Sequence, residues 1–498
     1  VALANRRLFA ILRSEGLNKM GNARNPKQKF SAPVVREIPL TADELLRALL
    51  SISSHRRLSV LDSCGTGQPS ANYLIAGFDP FEIIESWGNQ LRISTRDEIE
   101  YAAESDLPAT LDERLAEYRV ESALPDGLPV AGACIATFSY ELAYRLERLR
   151  LNSSAPSVPD EPDATLAFYD TLVVHDYRKG KTQVVGVAGF DRVADIADAV
   201  LEAHSRAVEN PAAAQPAAYT VESNFTREEY LAKVRLIKEH IAAGDIYQAN
   251  LTQQLTCALS AESKPEDIFL RLRRDYPAPF AAFLRRGEDV VISASPERFL
   301  RVEAVSDVRH VEAWPIKGTC PRGGSADEDN RLRAELLTSE KDRAENVMIV
   351  DLLRNDLGRV CRYGSVEVVE LCALEEHPTL FHLVSKVRGV LRAEITAGAL
   401  VRAAFPCGSI TGAPKIRAME IIADVETRPR GLSMGAIGYF SFTGLLDLNV
   451  AIRTMRLRDH VAVFNVGGGI VTDSCPSLEY EESLLKARAL LFALGTRN

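Results

Sequence analysis

Alternating strand and helix signals along most of the 498 residues point to a mixed α/β or α+β protein with extensive sheet. Leu166–His175 and Gln183–Ala188 are rich in β-branched and aromatic residues and flank a polar turn around 176–181, as paired strands do. Asp191–Ser205 sets Val193, Ile196, Val200 and Leu201 on one face of a helix. Thr226-Arg-Glu-Glu229 has capping-box spacing and opens a helix expected to end near Gly244. Strand signals recur at Ser433–Phe442, Val450–Arg456 and Val461–Val466, and a terminal helix runs from Leu478.

The composition allows a sizeable core, with 46% hydrophobic and 26% charged residues. A net charge of -9 argues against a broad nucleic-acid surface, which needs a basic face to displace counterions. It leaves room for a local anion pocket. The eight cysteines (64, 134, 257, 320, 361, 372, 407 and 475) form no Cys-x-x-Cys pair and have no histidine at zinc-finger spacing. They read as buried thiols of a reducing compartment. Apolar runs are too short to span a bilayer, so no membrane contact is expected, and the cytoplasm is the expected location.

Residues 1–30 hold many Arg and Lys and only a short apolar patch, and read as a disordered extension. Residues 31–206 form an N-terminal region. Residues 207–221, dominated by Ala and Pro without an apolar period, read as a linker, and 222–498 as the catalytic region.

Lys317 is the most informative residue. In Trp314-Pro-Ile-Lys-Gly-Thr319, a proline before it and a glycine after it place it at a strand end or tight turn. A partly desolvated lysine there is a candidate amine nucleophile; otherwise it is a solvated surface residue. Asp342 and Glu345 are three apart and share a helix face, as do Glu479 and Glu482 after the helix-starting Pro476. The helix dipole alone explains Glu479. Glu345 lies in an apolar helix, and an unpaired buried carboxylate needs a cation. Carboxylate oxygens completed by water and an anionic substrate suit Mg²⁺. Gly467-Gly-Gly469 follows a strand, and Pro406–Lys415 is a second glycine-bearing run. Backbone N–H groups at either could hold a carboxylate, or the glycines could mark a bulge.

Several ordered motifs together resemble the chorismate-utilising enzymes, which include anthranilate synthase component I, aminodeoxychorismate synthase component I, and isochorismate and salicylate synthases. The resemblance is strong over about 222–492 and looser before 205. Its motifs are Ser295-Pro-Glu-Arg-Phe, Pro315-Ile-Lys-Gly-Thr, Glu345-Asn-Val-Met-Ile-Val-Asp-Leu-Leu-Arg-Asn-Asp, His382-Leu-Val-Ser, Gly412-Ala-Pro-Lys, Gly435-Ala-Ile-Gly-Tyr, Ala451-Ile-Arg-Thr and Gly467-Gly-Gly-Ile-Val-Thr-Asp-Ser. It implies a large two-layered β-sheet sandwich flanked by helices. Where the water-using members carry a lysine, this chain has Gln248, so it resembles the ammonia-using ones. Pro-Ile-Lys-Gly-Thr, rather than Pro-Ile-Ala-Gly-Thr, resembles the aminodeoxychorismate type.

The resemblance implies Mg²⁺-dependent amination of chorismate to 4-amino-4-deoxychorismate through a covalent adduct on Lys317, a step toward 4-aminobenzoate and folate. It casts Glu297 as general acid and His382 as a group beside the ring. Glu345 and Glu482 would hold Mg²⁺, with Glu479 as an additional or outer ligand. Gly318, Thr319 and Thr411 would line the ring site, and Tyr439, Arg453 and the backbone of Gly467, Gly468 and Gly469 would hold the enolpyruvyl carboxylate. The bland reading of Glu297 is a salt bridge to Arg298 or another base. No glutaminase nucleophile elbow is present, so ammonia is expected from a separate glutaminase subunit. Ser63, in the run Val60-Leu-Asp-Ser, and Pro279-Phe280 are the counterparts of a family amino-acid pocket. The alternatives are an anthranilate synthase component I and a non-catalytic partner subunit.

Overall fold

The computed structural model describes residues 31–495 except 53–55, 68–71, 97, 104–105, 123, 152–160, 189–191, 210–219, 307 and 377–379. The extension expected at 1–30 and most of the linker expected at 207–221 lie outside the described residues. The helix before that linker continues to Glu209, beyond the Ser205 end expected from its apolar face.

Among the described residues, two sheets of twelve strands each form the centre, with every pairing antiparallel; one strand of each lies off the main path, Gly412–Ala413 beside Gln248–Ala258 in the first and Glu367–Glu376 beside Leu380–Val390 in the second. The first begins at Ser31–Ile38 and passes through Lys181–Ala188, Thr171–Asp176, Tyr73–Gly77 and Ser59–Asp62. It continues through Phe280–Arg285, Val290–Ser295, Thr454–Arg458, Val461–Ile470 and Gln248–Ala258 to Val221–Ser223. The second runs from Ile316–Pro321 through Leu380–Val390, Val308–Trp314, Arg298–Val305 and Leu446–Val450. It proceeds through Ala436–Ser441, Ala133–Phe138, Ala164–Tyr169 and Glu82–Trp87 to Gln90–Thr95 and Ile99–Ala103. The regions 31–206 and 222–498 thus contribute strands to both sheets.

The sheets face each other across a core that includes Ile75, Val174 and Leu284 from the first and Ile135, Ala167 and Ile437 from the second. The outer face of the first sheet is covered by the helices Ala42–Leu50, Val193–Glu209, Pro265–Asp275 and Pro476–Leu494. That of the second is covered by Leu107–Glu117, Glu340–Gly358 and Ala397–Ala404. Strands covered on both faces lose the in–out alternation of a half-exposed sheet, and Ala164–Tyr169 and Thr171–Asp176 are buried throughout. The capping box at Thr226 is present, with Thr226 N–H donating to Glu229 Oε2 at 2.7 Å and Glu229 N–H to Thr226 Oγ1 at 3.2 Å.

Two expected strands are each divided between the sheets. Leu166–His175 breaks at the buried Asp170, so Ala164–Tyr169 joins the second sheet and only Thr171–Asp176 pairs with Lys181–Ala188. Val450–Arg456 breaks at Ala451–Arg453, leaving Leu446–Val450 in the second sheet and Thr454–Arg458 in the first. Local propensity is equally favourable on both sides of each break. Five cysteines are buried, as the sequence suggests, but Cys64 and Cys320 are half-buried and Cys475 is exposed at a helix start. No described helix is long and apolar enough to cross a membrane.

Gly435 lies where a side chain would collide with the Phe138 carbonyl of the neighbouring segment. Gly435→Ala should therefore push the Ala133–Phe138 and Ala436–Ser441 strands apart and cost about 1–3 kcal/mol. Thermal unfolding checks this as a lowered melting temperature.

Candidate active site

Two crossings between the sheets lie side by side and build one wall of the site. The chain leaves the first sheet at Ser295, turns at Pro296-Glu297 and enters the second at Arg298. The other crossing carries Arg453, whose backbone takes a positive φ of 49°. Ser295 Oγ donates to the Val450 carbonyl at 2.6 Å, Val450 N–H to the Glu297 carbonyl at 3.0 Å, and Ala294 N–H to the Arg453 carbonyl at 3.0 Å. Glu297 and Arg453 thereby line the same cavity, of about 160 Å³.

Glu297 is 3% exposed and its Oε1 has no hydrogen-bond partner. Burial pushes its carboxyl up to about 7, against the opposing pull of a Ser409 hydrogen bond and the Lys317 charge. The salt bridge that Arg298 might have offered is taken: Arg298 forms a bidentate pair with Asp447 at 2.9 and 3.0 Å, between the rings of Phe280 and Trp314. A carboxyl poised near neutrality in a cleft has the character of a general acid.

Lys317 is the second residue of the strand Ile316–Pro321. The pairing with Leu380–Val390 shifts register between Ile316 and Thr319, and Gly318 has a φ of +88°. Such a bulge re-aims a side chain. The Lys317 ammonium turns into the cavity and donates to the Ser409 carbonyl at 3.2 Å. Gly318 packs against Asp342 and Leu336, where a Cβ would lie 3.1 Å from Asp342 Cβ. Opposite the bulge, His382 pairs with Thr319, and Thr319 Oγ1 lies 2.8 Å from His382 Nδ1. Both line the cavity.

The two acidic helices meet here. Glu345, with its side chain 13% exposed, projects from Glu340–Gly358. Burial pushes its carboxyl up while Lys317 and Lys341 pull it down. Glu479, 3% exposed, accepts from Ser474 Oγ at 2.6 Å. Glu482 pairs with Lys486 at 2.7 Å, and Lys341 reaches Glu479 at 3.4 Å and Glu345 at 4.0 Å. A Cβ on Gly468 would sit 3.3 Å from Glu479 Oε2 and 3.4 Å from Glu482 Oε1, so the bare glycine backbone leaves room beside both acids. Among the described residues, no three acidic, His or Cys side chains are grouped closely enough to hold a metal ion by themselves. The donor set fits a hard cation that keeps water and ligand oxygens in its shell, the habit of Mg²⁺.

Gly467 and Gly469 line the cavity from the strand Val461–Ile470, while Gly468 faces the acids. A Cβ on Gly469 would collide with the fully buried amide of Gln248 and lie 3.5 Å from Lys317 Nζ, so both side chains crowd that glycine. Neither polar atom of that amide has a hydrogen-bond partner. Motif reading did not single out Ser409, Asn250, Lys341 or Lys486 as site residues, yet all four line the cavity. Ser409 lies inside the glycine-bearing run 406–415. The two lysines stand four residues from Glu345 and Glu482, a spacing that places them on the same helix face.

Two expected substrate residues are elsewhere. The Thr411 hydroxyl is fully buried and donates within its own turn, to the carbonyls of Cys407 at 3.1 Å and Gly408 at 3.2 Å. Tyr439 lines a separate cavity of about 80 Å³ between the sheets, with Ser63, Pro279, Phe280 and Asp447. An Ala436–Ser441 strand in the middle of the second sheet holds its ring there, away from Arg453. Ser63 Oγ is buried in that cavity without a partner.

The state of Glu297 has a measurable consequence for stability. Its folded value of about 7 stands above the ordinary 4.5, so folding favours the protonated form. That stabilisation is complete below pH 4.5 and is lost as pH rises through about 7. Glu297→Gln keeps the neutral shape at every pH. Its melting temperature relative to the unaltered protein should rise between pH 4.5 and 7 and level off above, by calorimetry across that range.

Comparison with known proteins agrees with this architecture. A family model described as chorismate binding enzyme matches residues 60–492. Anthranilate synthase component 1 of Acetivibrio thermocellus is 34% identical over 94% of this chain and 97% of its own. Aminodeoxychorismate synthase component 1 of Bacillus subtilis is 34% identical over 93% of this chain and 97% of its own. The crystal structure of anthranilate synthase component I from Streptococcus pneumoniae superposes with a TM-score of 0.72 at 29% identity, covering 85% of this chain and 92% of that one. An isochorismate synthase from Escherichia coli, MenF, shares the fold at 14% identity, with a TM-score of 0.66 over 99% of both chains. With matched motifs, both sheets and near-complete coverage in agreement, this chain belongs to the chorismate binding enzyme family.

Proposed function

We propose that this protein aminates chorismate to 4-amino-4-deoxychorismate, with Lys317 as a transient covalent nucleophile. The observation that carries the reading is the placement of the Lys317 amine on a bulge, inside the same cavity as the buried Glu297 carboxyl. Hydroxide is a poor leaving group from the substrate's C4. The Lys317 amine, once deprotonated, attacks C2, both ring double bonds shift (C1=C2 to C1=C6 and C5=C6 to C4=C5), and the 4-hydroxyl departs as water with the proton of Glu297. Ammonia then attacks C4, both double bonds shift back, the C2–N bond to Lys317 breaks, and the new C4 ammonium returns a proton to the Glu297 carboxylate. One difficult displacement becomes two easier ones.

Arg453 suits the enolpyruvyl carboxylate, since its guanidinium can engage a carboxylate with two parallel bonds. Thr319 and His382 line the ring side as a hydrogen-bonded pair. Glu345 and Glu482, with Glu479 behind them, would hold Mg²⁺, which supplies positive charge for the ring carboxylate. In the position where a water-activating lysine would be needed, Gln248 supplies no base. Relatives are named component 1, which supports a separate partner as the source of ammonia. The Ser63–Phe280 cavity fits an amino-acid site, with the unpartnered Ser63 hydroxyl available to a polar group.

A second reading, anthranilate synthase component I, is favoured by the 34% identity to such an enzyme along nearly the whole chain. Chromatography of the product from chorismate, ammonium and Mg²⁺ separates the two. Conversion to 4-aminobenzoate on adding an aminodeoxychorismate lyase is expected; fluorescent anthranilate with released pyruvate would overturn the first reading. Lys317→Ala should form no adduct by intact mass and retain at most slow direct amination. Normal turnover by that variant, with no adduct on the unaltered chain, would remove Lys317 as nucleophile. Glu345→Gln should weaken Mg²⁺ binding measured by calorimetry, and unchanged affinity would take Glu345 out of the metal site.

A further inference from the structure

The run Pro406–Lys415 reads from sequence as an anion-binding loop, but the structure uses it differently. Its lysine does not line the cavity. Lys415 is 8% exposed, and its ammonium donates to Asp356 Oδ2 at 2.6 Å and to the carbonyls of Ala404 and Pro406, both at 2.9 Å. It therefore holds the start of the loop against the long helix Glu340–Gly358.

The other end of the loop is held by Arg430, 3% exposed and stacked on the Tyr140 ring at 4.4 Å. Its guanidinium forms a fork with Glu426 at 2.8 and 2.7 Å. The remaining bonds go to the carbonyls of Ile410 at 2.7 Å and Asn250 at 2.6 Å. Both of those residues line the active-site cavity. Between the two cations stands Ser409, whose carbonyl receives the Lys317 ammonium and whose side chain lies near enough to the Glu297 carboxyl to oppose the upward push of burial on it.

A buried ion pair is weak evidence for stability, because desolvating both ions offsets much of their attraction. A fork that also grips two backbone carbonyls does something an apolar residue cannot: it fixes the distance between two segments. We propose that Arg430 is a positioning residue for catalysis, which, with Lys415 at the far end, holds the loop 405–411 so that Ser409 keeps the Lys317 amine and the Glu297 carboxyl in register. The inference relies on the amination reading only for its kinetic assay.

Arg430→Lys tests it. The variant keeps a positive charge beside Glu426, so the buried carboxylate stays paired. A single ammonium nitrogen cannot span Glu426, Ile410 and Asn250 as the planar fork does. Turnover should fall roughly 10- to 100-fold, the scale of a misplacement of about 1 Å, while KM for chorismate stays close to that of the unaltered protein. Asp356→Asn, which loosens the Lys415 end but keeps an acceptor oxygen, should shift turnover in the same direction by less. A reaction-free readout runs alongside: labelling of Lys317 by trinitrobenzenesulfonate, followed by peptide mass, should change several-fold in Arg430→Lys.

Unchanged turnover and unchanged Lys317 labelling in both variants would overturn the proposal. So would a loss of turnover matched by an equal loss of folded protein, measured by calorimetry on the same samples. If the unaltered chain did not turn over chorismate, the amination reading would fail, while the Lys317 labelling would still decide the role of Arg430.

Discussion

Covering both faces of two large sheets means that every polar group buried there must find a partner or be left at a cost. Helices cover much of the outer faces and the sheets close each other's inner faces, so irregular strand pairing is where a side chain is most readily turned into a pocket. The site occupies such places. Glu297 and Arg453 come from neighbouring crossings between the sheets, and Lys317 from a bulge in the strand Ile316–Pro321. Each irregularity directs a side chain that a straight strand would have committed to a packed face.

This arrangement also accounts for the chemistry of the groups. Because Glu297 is walled by packed sheet, its carboxyl is desolvated and half-satisfied, which raises it to about 7. The adjacent Arg298 might have neutralised it, but Arg298 is committed to Asp447. Across the cavity the balance differs. Glu345, Glu479 and Glu482 are interleaved with Lys341 and Lys486, so the acids there share their charge with ammonium groups. A desolvated acid and a cluster of acids interleaved with lysines are thus set apart by the burial and partners each receives.

The loop that joins these halves is itself irregular and could not hold its shape through sheet pairing alone. Its anchoring falls to Lys415 and Arg430, whose charges are spent on buried carboxylates and backbone carbonyls. Four charged side chains, the two cations with Asp356 and Glu426, are therefore withdrawn from solvent to define the position of Ser409.

Elements that depend on nearby residues were legible in the chain. The capping box at Thr226, the mixed α/β character, the Lys317 motif and the two acidic pairs all follow from short spacings, because helix faces and turns are set within a few residues. What neighbours could not specify was which sheet a strand joins. Leu166–His175 and Val450–Arg456 look continuous, and only pairing with partners far along the chain divides them at Asp170 and Arg453. The same long-range pairing sets Tyr439 in a separate cavity, turns Thr411 inward, and brings the helix Pro476–Leu494 beside Glu340–Gly358. Residue identity determined which chemistry was possible; the antiparallel register of distant strands decided which of those side chains share a space, because contacts between remote segments leave no local trace.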